Sequence, residues 1–256
     1  IQDGYNLAWK LAAVVKGQAT PKLLDSYSTE RAPIARQIVT RANQSIAEFG
    51  PIFEALGMDG GVDHDKIQRS MAARCDATPA AEAQREALRK AIEFKKYEFD
   101  CHGVEMNQRY TSGAVVTDGQ QPPTPNADME LHYQPTTYPG ARLPHVWLFD
   151  RNGAKHSTLD LTGKGQFTLI TGIGGEPWIA AAETLSQSLN LPIRIVKIGP
   201  RCAIEDHGGD WARAREIRDA GCLLVRPDQH VAWRADTLTA DPQADLTRVL
   251  HAILGH

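Results

Sequence analysis

The chain has 256 residues, of which 42% are hydrophobic and 23% charged, and its formal net charge at pH 7 is -3. These values are typical of a globular protein with one large or two small domains, and they exclude wholesale disorder, collagen and a coiled coil. The near-neutral charge predicts no nucleic-acid partner, and the absence of an apolar run of roughly 18–20 residues predicts no membrane partner. The cysteines show no CxxC spacing, which favours neither a disulfide framework nor a zinc site and fits a cytoplasmic location.

The first predicted elements are two helices. Residues 3–16 carry apolar side chains at helical spacing, and Gly17 supplies a C-terminal stop. The face predicted to be buried consists of Leu7, Leu11, Val14 and Val15. A second helix is predicted over residues 22–49, where Pro33 should cause a kink or a restart. Its predicted buried face consists of Ile34, Ile38, Val39, Ala42 and Ile46.

Composition divides the chain into three parts. Residues 65–99 form a polar helical stretch, broken near residues 77–79, whose charged side chains should face solvent. Residues 117–142 are rich in proline and show little periodicity, which is typical of an extended connector. The predicted domains are therefore a helical part over residues 1–111, a Pro-rich connector over residues 112–142 and a separate domain over residues 143–256. Because the chain begins with Ile1 in a helical pattern that has no capping residue, we expect it to be a segment of a longer protein.

Residues 143–256 alternate between strand and helix patterns. Strands are predicted at residues 146–149, 167–171, 193–198, 222–225 and 230–233, and helices at residues 178–189, 211–220 and 243–254. The second and third strands should be parallel and joined by a right-handed crossover, whereas the last two should form a hairpin. This order predicts an α/β, thioredoxin-like fold.

The thioredoxin-like order raises thiol–disulfide exchange as a first hypothesis. That chemistry needs a cysteine pair at the start of the helix that follows the first core strand. The segment there, Gly172 to Trp178, has no cysteine, and Gly221 stands where thioredoxins carry a proline, so a redox-inactive domain is predicted. An oxidoreductase that works through Cys222 remains an alternative.

Other candidate sites have ordinary structural explanations. The glycines of residues 172–177 lack the GK[ST] ending of a phosphate loop, and a tight turn explains them. The histidines show no HxxxH or HExxH spacing, which predicts no metal site, and Asp206-His207 with Asp210 is read as a polar loop. Core packing is expected for Trp178, Trp211 and Trp233.

Five stretches of the sequence carry a resemblance to a known family. Residues 1–11, IQDGYNLAWKL, contain the D-x-x-N-L-x-W-K-L pattern, and residues 24–35 contain L-x-x-Y-x-x-E-R-x-P-x-A. The matches continue at residues 102–110 and 139–148, and residues 221–233, GCLLVRPDQHVAW, look like the family's C-terminal hairpin. The chain resembles the FAD-dependent aromatic-ring hydroxylases of the phenol hydroxylase type, within which it is most similar to phenol and chlorophenol monooxygenases.

The resemblance implies an enzyme that uses FAD and NADPH to hydroxylate a phenolic small molecule through a flavin C4a-hydroperoxide. It places the dinucleotide fingerprint and the main catalytic residues upstream of Ile1, so no catalytic residue is assigned here and the chain alone is expected to be inactive. The chain would then hold the helical C-terminal part of the FAD and substrate region, followed by a thioredoxin-like domain. We expect that domain to support stability and assembly, in a protein that forms a homo-oligomer.

The resemblance also implies a position for the flavin. In this family the N-terminus of the first helix faces the pyrimidine edge of the isoalloxazine, which makes Ile1 and Gln2 peripheral cofactor residues. Asn6 and Trp9 are expected to pack or hydrogen-bond to neighbouring elements, and Glu30-Arg31 to form an ion pair at the helix break. The alternative function is non-enzymatic, a thioredoxin-like assembly or binding module with a helical N-terminal arm.

Overall fold

A computed structural model describes residues 1–58 and 63–256 of the protein. It contains two compact units, the first formed by residues 1–33, 106–126 and 134–256 and the second by residues 34–105 and 127–133. The residues of these units differ from those of the three predicted parts, which are divided at residues 112 and 142. That division stays a prediction about domain organisation. Within the described residues, no helix combines the length and apolar character that crossing a bilayer requires.

The fold is a mixed α/β architecture with helices and two sheets, which confirms the predicted class in its coarse form. The helices are α1 (Gln2–Val15), α2 (Asp25–Ala47), α3 (Gly50–Ala55), α4 (His64–Ala73), α5 (Pro79–Phe94), α6 (Lys96–Phe99), α7 (His102–Met106), α8 (Thr158–Leu161), α9 (Glu176–Ser188), α10 (Asp210–Ala214) and α11 (Pro242–Leu254), with a 3-10 turn at Pro21–Leu24. The strands are β1 (Trp147–Asp150), β2 (Lys155–Ser157), β3 (Phe167–Thr171), β4 (Ile193–Lys197), β5 (Ile204–Glu205), β6 (Cys222–Val225) and β7 (Val231–Ala235).

The second compact unit is helical. α4 ends at Ala73 and α5 begins at Pro79, where the Thr78 hydroxyl accepts a hydrogen bond from the backbone N–H of Ala81, so the predicted break near residue 78 is confirmed. α2 continues through Pro33 without a restart. The predicted buried face of that helix is wrong in its later turns, because the side chains of Val39 and Ile46 are exposed.

A four-stranded sheet forms the centre of the first compact unit, in the order β4-β3-β6-β7. β3 and β4 are parallel, and β6 is antiparallel to both β3 and β7. All residues of β3, β6 and β7 are buried, which explains why their sequences are almost continuously apolar instead of alternating. The predicted parallel pair and hairpin are both confirmed.

Each face of this sheet has its own hydrophobic core. One face packs against α1, α9 and α11 through side chains that include Trp9, Trp178 and Leu250. The other face packs against α10 and the three-stranded sheet β2-β1-β5, with Trp211 and Leu148 among the buried residues. The expectation that Trp178, Trp211 and Trp233 are core residues is therefore confirmed.

The helix predicted over residues 211–220 is shorter than expected, since α10 ends at Ala214. Glu216 adopts a left-handed backbone conformation with φ of 51°, which cannot continue a right-handed helix. Its carboxylate accepts hydrogen bonds from the backbone and hydroxyl of Thr137 and from Arg234. These tertiary bonds, which connect residues far apart in the sequence, outweigh the local helical pattern.

Gly140 makes one backbone hydrogen bond to Tyr110 and one to β7. Its carbonyl accepts from the N–H of Tyr110 at 2.9 Å, and its own N–H donates to the carbonyl of Val231 at 2.7 Å. The backbone of Gly140 has φ of 91°, and a Cβ there would collide with the carbonyl oxygen of Tyr110. Only glycine fits this position without moving the backbone.

We therefore expect Gly140→Ala to destabilise the protein by about 1–3 kcal/mol, because it combines a strained φ with a backbone collision. Urea unfolding monitored by tryptophan fluorescence measures the change. Gly113→Ala is the matched control, since a Cβ at that position would meet nothing within 4 Å. Equal stability of the two variants would contradict this account of Gly140.

Candidate functional site

Helix α1 buries a polar face. The predicted apolar face is wrong at Leu11 and Val15, which are 43% and 84% exposed, whereas Val14 packs against the core. The helix is turned so that its buried residues are Asn6, Trp9, Lys10 and Ala13. An amide and an ammonium group inside a protein must find polar partners there, since burying them unpaired would cost several kcal/mol.

Those partners converge on the carboxylate of Glu30, which is fully buried on α2. Glu30 accepts hydrogen bonds from Lys10 Nζ at 2.7 Å and from Asn6 Nδ2 at 2.7 Å. Arg226 donates from Nη1 at 2.6 Å and from Nη2 at 2.9 Å, and the hydroxyl of Ser112 donates at 2.6 Å. The carboxylate thus receives donors from three separate segments of the chain.

Arg226 and Asp228 lie in the turn between β6 and β7, called here the hairpin turn (residues 226–230). The Asp228 carboxylate accepts hydrogen bonds from Arg226 at 3.0 and 2.6 Å, from the indole N–H of Trp9 at 3.1 Å and from Asn6 Nδ2 at 3.2 Å. The guanidinium of Arg226 also lies over the rings of Trp9 and Tyr110, at 5.1 and 5.2 Å from their centroids.

Lys10, Glu30, Arg226 and Asp228 form what we call the buried charge cluster, with two positive and two negative groups. Burial acts to raise the pKa of Glu30, but the hydrogen bonds and charges of Arg226 and Lys10 outweigh it and lower that pKa to about 2. Burial, assisted by the charge of Arg226, lowers the pKa of Lys10 to about 8. The charge of Arg226 overcomes burial at Asp228 and holds the pKa of that carboxyl well below its usual range.

A second buried arginine holds the N-terminal end of α1. Arg31 Nε donates to Asp3 at 2.6 Å, and its Nη1 donates to the Tyr110 hydroxyl at 3.0 Å and to Gln108 at 3.1 Å. The predicted ion pair between Glu30 and Arg31 is therefore wrong. Adjacent helical residues point about 100° apart, so each finds a different partner.

The two residues predicted to border the flavin lie at this end of α1. Ile1 is fully exposed, and Gln2 is exposed but accepts a hydrogen bond from Arg31 Nη2 at 3.4 Å. The N-cap residue of the helix, Ile1, makes no side-chain hydrogen bond to the first turn. The cofactor role of Ile1 and Gln2 stays a prediction.

The expected hydrogen bonds of Asn6 and Trp9 are confirmed, whereas the roles of Lys10, Arg226 and Asp228 were missed. Two signals in the sequence could have indicated them. Lys10 lies one helical turn after Asn6 on the face that also carries Trp9, and an Arg-Pro-Asp turn separates two largely apolar strands. Charged residues that interrupt apolar segments in two distant places are candidates for one buried pair.

Thiol chemistry finds no support at Cys222. Its side chain is fully buried, and burial raises the pKa of the thiol well above its ordinary value, which keeps it protonated and unreactive. The glycine segment forms the predicted tight turn, in which Gly172 lies against the carbonyl of Asp219 and Gly175 precedes α9. Within the described residues, no group of three or more His, Cys, Asp and Glu side chains could hold a metal ion.

The buried charge cluster predicts a distinctive pH dependence for Glu30→Gln. This change leaves Lys10 and Arg226 with a single buried carboxylate, so we expect a loss of about 3–5 kcal/mol of unfolding free energy at pH 7. The pKa of Glu30 is about 2 in the folded chain, against an ordinary value of 4.5. Stabilisation by the carboxylate is therefore complete above about pH 4.5 and is lost as the pH falls towards 2.

Urea unfolding of the wild type and of Glu30→Gln at several pH values tests this. The difference between the two proteins should shrink as the pH falls from about 4.5 towards 2. Glu86→Gln is the control, because Glu86 is an exposed residue of α5 whose partners are the exposed Arg89 and Lys90. A difference that stays constant over this pH range would show that the Glu30 charge is not the cause.

The chain is similar to known proteins along its whole length. Residues 136–256 match the family model for the C-terminal part of aromatic-ring hydroxylases, and residues 1–42 match a FAD binding domain. The chain is 50% identical over 256 residues to a 2,4-dichlorophenol 6-monooxygenase of Cupriavidus pinatubonensis, covering 100% of this chain and 43% of that protein. It is 48% identical over 250 residues to a phenol 2-monooxygenase of Pseudomonas sp. strain EST1001, covering 98% of this chain and 41% of that protein.

The chain is also similar to solved structures. A crystal structure of the flavin-dependent monooxygenase PieE in complex with FAD and substrate has a TM-score of 0.92 at 41% identity, covering 99% of this chain and 43% of that one. A ternary complex of aklavinone-11 hydroxylase with FAD and aklavinone has a TM-score of 0.64 at 32% identity. The chain thus spans less than half the length of the relatives that it matches, 41% and 43% of the two curated proteins. With both family models matched and about half of its residues shared with two phenol hydroxylases, the chain belongs to the aromatic-ring hydroxylases.

Proposed function

We propose that the chain is part of a FAD- and NADPH-dependent monooxygenase that hydroxylates a phenol or chlorophenol, of the 2,4-dichlorophenol 6-monooxygenase kind. The observation that carries the proposal is the 48–50% identity to two phenol hydroxylases along 98–100% of the chain. Such identity includes the flavin-side helix α1 as well as the hairpin, and it exceeds the 34% identity to a tetracenomycin A2 monooxygenase-dioxygenase of Streptomyces glaucescens.

The residues at the start of α1 fit one edge of FAD. The backbone N–H groups of the first turn, which Ile1 does not cap with its side chain, would donate to an electron-rich oxygen or nitrogen of the flavin. The positive end of the helix dipole favours negative charge at the same place. Asp3 would oppose that charge, but its carboxylate is paired with Arg31 at 2.6 Å. Ile1 and Gln2 are therefore proposed as peripheral residues of the flavin site.

FAD would supply the redox chemistry of the reaction, taking electrons from NADPH and activating oxygen. This chain's own residues would hold and orient the helix that borders the flavin. α1 presents its amides, Arg31 fixes Gln2 and Asp3, and the buried charge cluster fixes the helix from its other side. No catalytic acid or base is proposed within this chain, and the phenol-binding residues are proposed to belong to the rest of the protein.

We further propose that residues 143–256 are a thioredoxin-like domain without redox activity. The strand order β4-β3-β6-β7, with one parallel pair followed by a hairpin, supports this assignment. The buried thiol of Cys222 supports the absence of disulfide chemistry. A role of this domain in stability and homo-oligomer formation stays a prediction that sedimentation can test. The free state of the four cysteines is the support for a cytoplasmic location.

The proposal is tested with the whole protein that carries this chain. We expect it to contain bound FAD, detected by its visible absorbance, and to oxidise NADPH faster when phenol or 2,4-dichlorophenol is added, with a hydroxylated product. The 256-residue chain by itself should do neither.

Two outcomes would contradict the proposal. A whole protein without flavin would favour the alternative, a non-enzymatic thioredoxin-like assembly or binding module. Turnover of NADPH and phenol by the 256-residue chain alone would show that catalytic residues have been missed here.

A further inference from the structure

The buried charge cluster is built from two parts of the chain that match different family models. Lys10 and Glu30 lie in residues 1–42, which match a FAD binding domain. Arg226 and Asp228 lie in residues 136–256, which match the C-terminal part of aromatic-ring hydroxylases. Their ion pairs, at 2.6 and 2.7 Å, connect positions up to 196 residues apart within one compact unit. The most distant part of the sequence therefore completes the surroundings of the flavin-side helix.

We propose that Arg226 and Asp228 are positioning residues, and that the hairpin turn fixes α1 where the flavin-binding segment needs it. The proposal rests on the proposed function for its link to FAD, but the positioning itself is a property of this chain. It assigns the C-terminal part a role in cofactor binding besides the stability and assembly expected of it.

The contacts of α1 support this role. Three of its side chains reach the hairpin turn directly: Tyr5 donates to the Pro227 carbonyl at 3.2 Å, Trp9 donates to Asp228 at 3.1 Å and Asn6 donates to Asp228 at 3.2 Å. Apolar contacts are non-directional, whereas charge-assisted hydrogen bonds have fixed geometry. The polar bonds therefore set the rotation of α1 about its axis and its position along that axis.

The same turn reaches the N-terminal end of α1 by a second route. His230, the last residue of the hairpin turn, stacks on Tyr110 with ring centroids 4.2 Å apart. The Tyr110 hydroxyl accepts from Arg31, and Arg31 in turn holds Asp3 and Gln2. The first turn of α1 and its middle are thus both fixed by groups that depend on the hairpin turn.

The hairpin supplies a matched control. Arg234, on β7, is also a buried arginine with two carboxylate partners, Asp118 and Glu216, at 2.6 and 3.0 Å. Its partners lie outside residues 1–42. Arg226→Met and Arg234→Met therefore remove the same kind of group from the same hairpin, and only the first removes a bond to the flavin-binding segment.

The first experiment uses the 256-residue chain without cofactor. Hydrogen exchange of the backbone amides of residues 2–15 reports local opening of α1. We expect Arg226→Met to increase exchange there by about ten-fold or more, and Arg234→Met to leave it close to the wild type. Asp228→Asn, which removes the charge and keeps the shape, is the second variant if Arg226→Met does not fold.

The second experiment uses the whole protein and measures FAD affinity by flavin fluorescence, together with the reduction potential of the bound flavin. Arg226→Met or Asp228→Asn should weaken FAD binding by about ten-fold and shift the potential, and Arg234→Met should change neither. If Arg226 and Asp228 had only a structural role, all three variants would have lower melting temperatures. Their FAD affinities and reduction potentials would then not differ from one another.

The proposal is overturned if α1 exchange is unchanged in Arg226→Met and Asp228→Asn, or rises equally in Arg234→Met. It is also overturned if exchange increases selectively but FAD affinity and potential stay at wild-type values. A wild-type protein that binds no FAD would remove the proposed function, and the exchange experiment on the chain would still decide whether the hairpin turn positions α1.

Discussion

The burial of the Glu30 carboxylate is the constraint on which the rest of the first compact unit depends. An ionised carboxylate removed from water loses several kcal/mol of hydration, which only close cations and donors can offset. Here the compensation comes from α1, from the segment at Ser112 and from the hairpin turn, and each supplies a donor at 2.6–2.7 Å. If any one of these segments moved away, the buried Glu30 carboxylate would lose a donor. The positions of the three segments are therefore fixed together.

The apolar core and the charged groups meet in one side chain, Trp9. Its indole ring packs edge-on against Phe167 of the central sheet with centroids 5.7 Å apart, while its N–H donates to Asp228. Hydrophobic burial explains why α1 stays on the sheet, since that contribution is large and non-directional. The polar bonds explain which face of α1 is inward, because any other rotation would take the Lys10 and Asn6 donors away from the buried Glu30 carboxylate. We regard such selection of one arrangement, more than added stability, as the physical role of the buried charge cluster.

The sequence predicted the central sheet and its helices because they follow rules of local pattern. Continuous apolar strands, a crossover helix and a two-stranded hairpin leave few alternative topologies. The prediction for α1 was wrong because hydrophobic periodicity assumes that apolar residues face inward, whereas Lys10 and Asn6 are buried by partners 20 to 222 residues away. Glu216 shortened α10 for a similar reason, since its bonds to Thr137 and Arg234 depend on the tertiary fold. Local sequence patterns therefore determine where the elements of the fold lie, whereas long-range bonds of charged residues determine how those elements are oriented.

The hairpin turn lies at the opposite end of the central strands from the Gly172–Trp178 segment. Arg226 and Asp228 need a rigid support, and the entirely buried strands β6 and β7 on either side of them supply it. A loop on a mobile surface could not offer a guanidinium within 2.6–2.9 Å of two fully buried oxygens of Glu30. The strength of the ion pairs thus depends on the rigidity of the sheet, and the orientation of α1 depends on both.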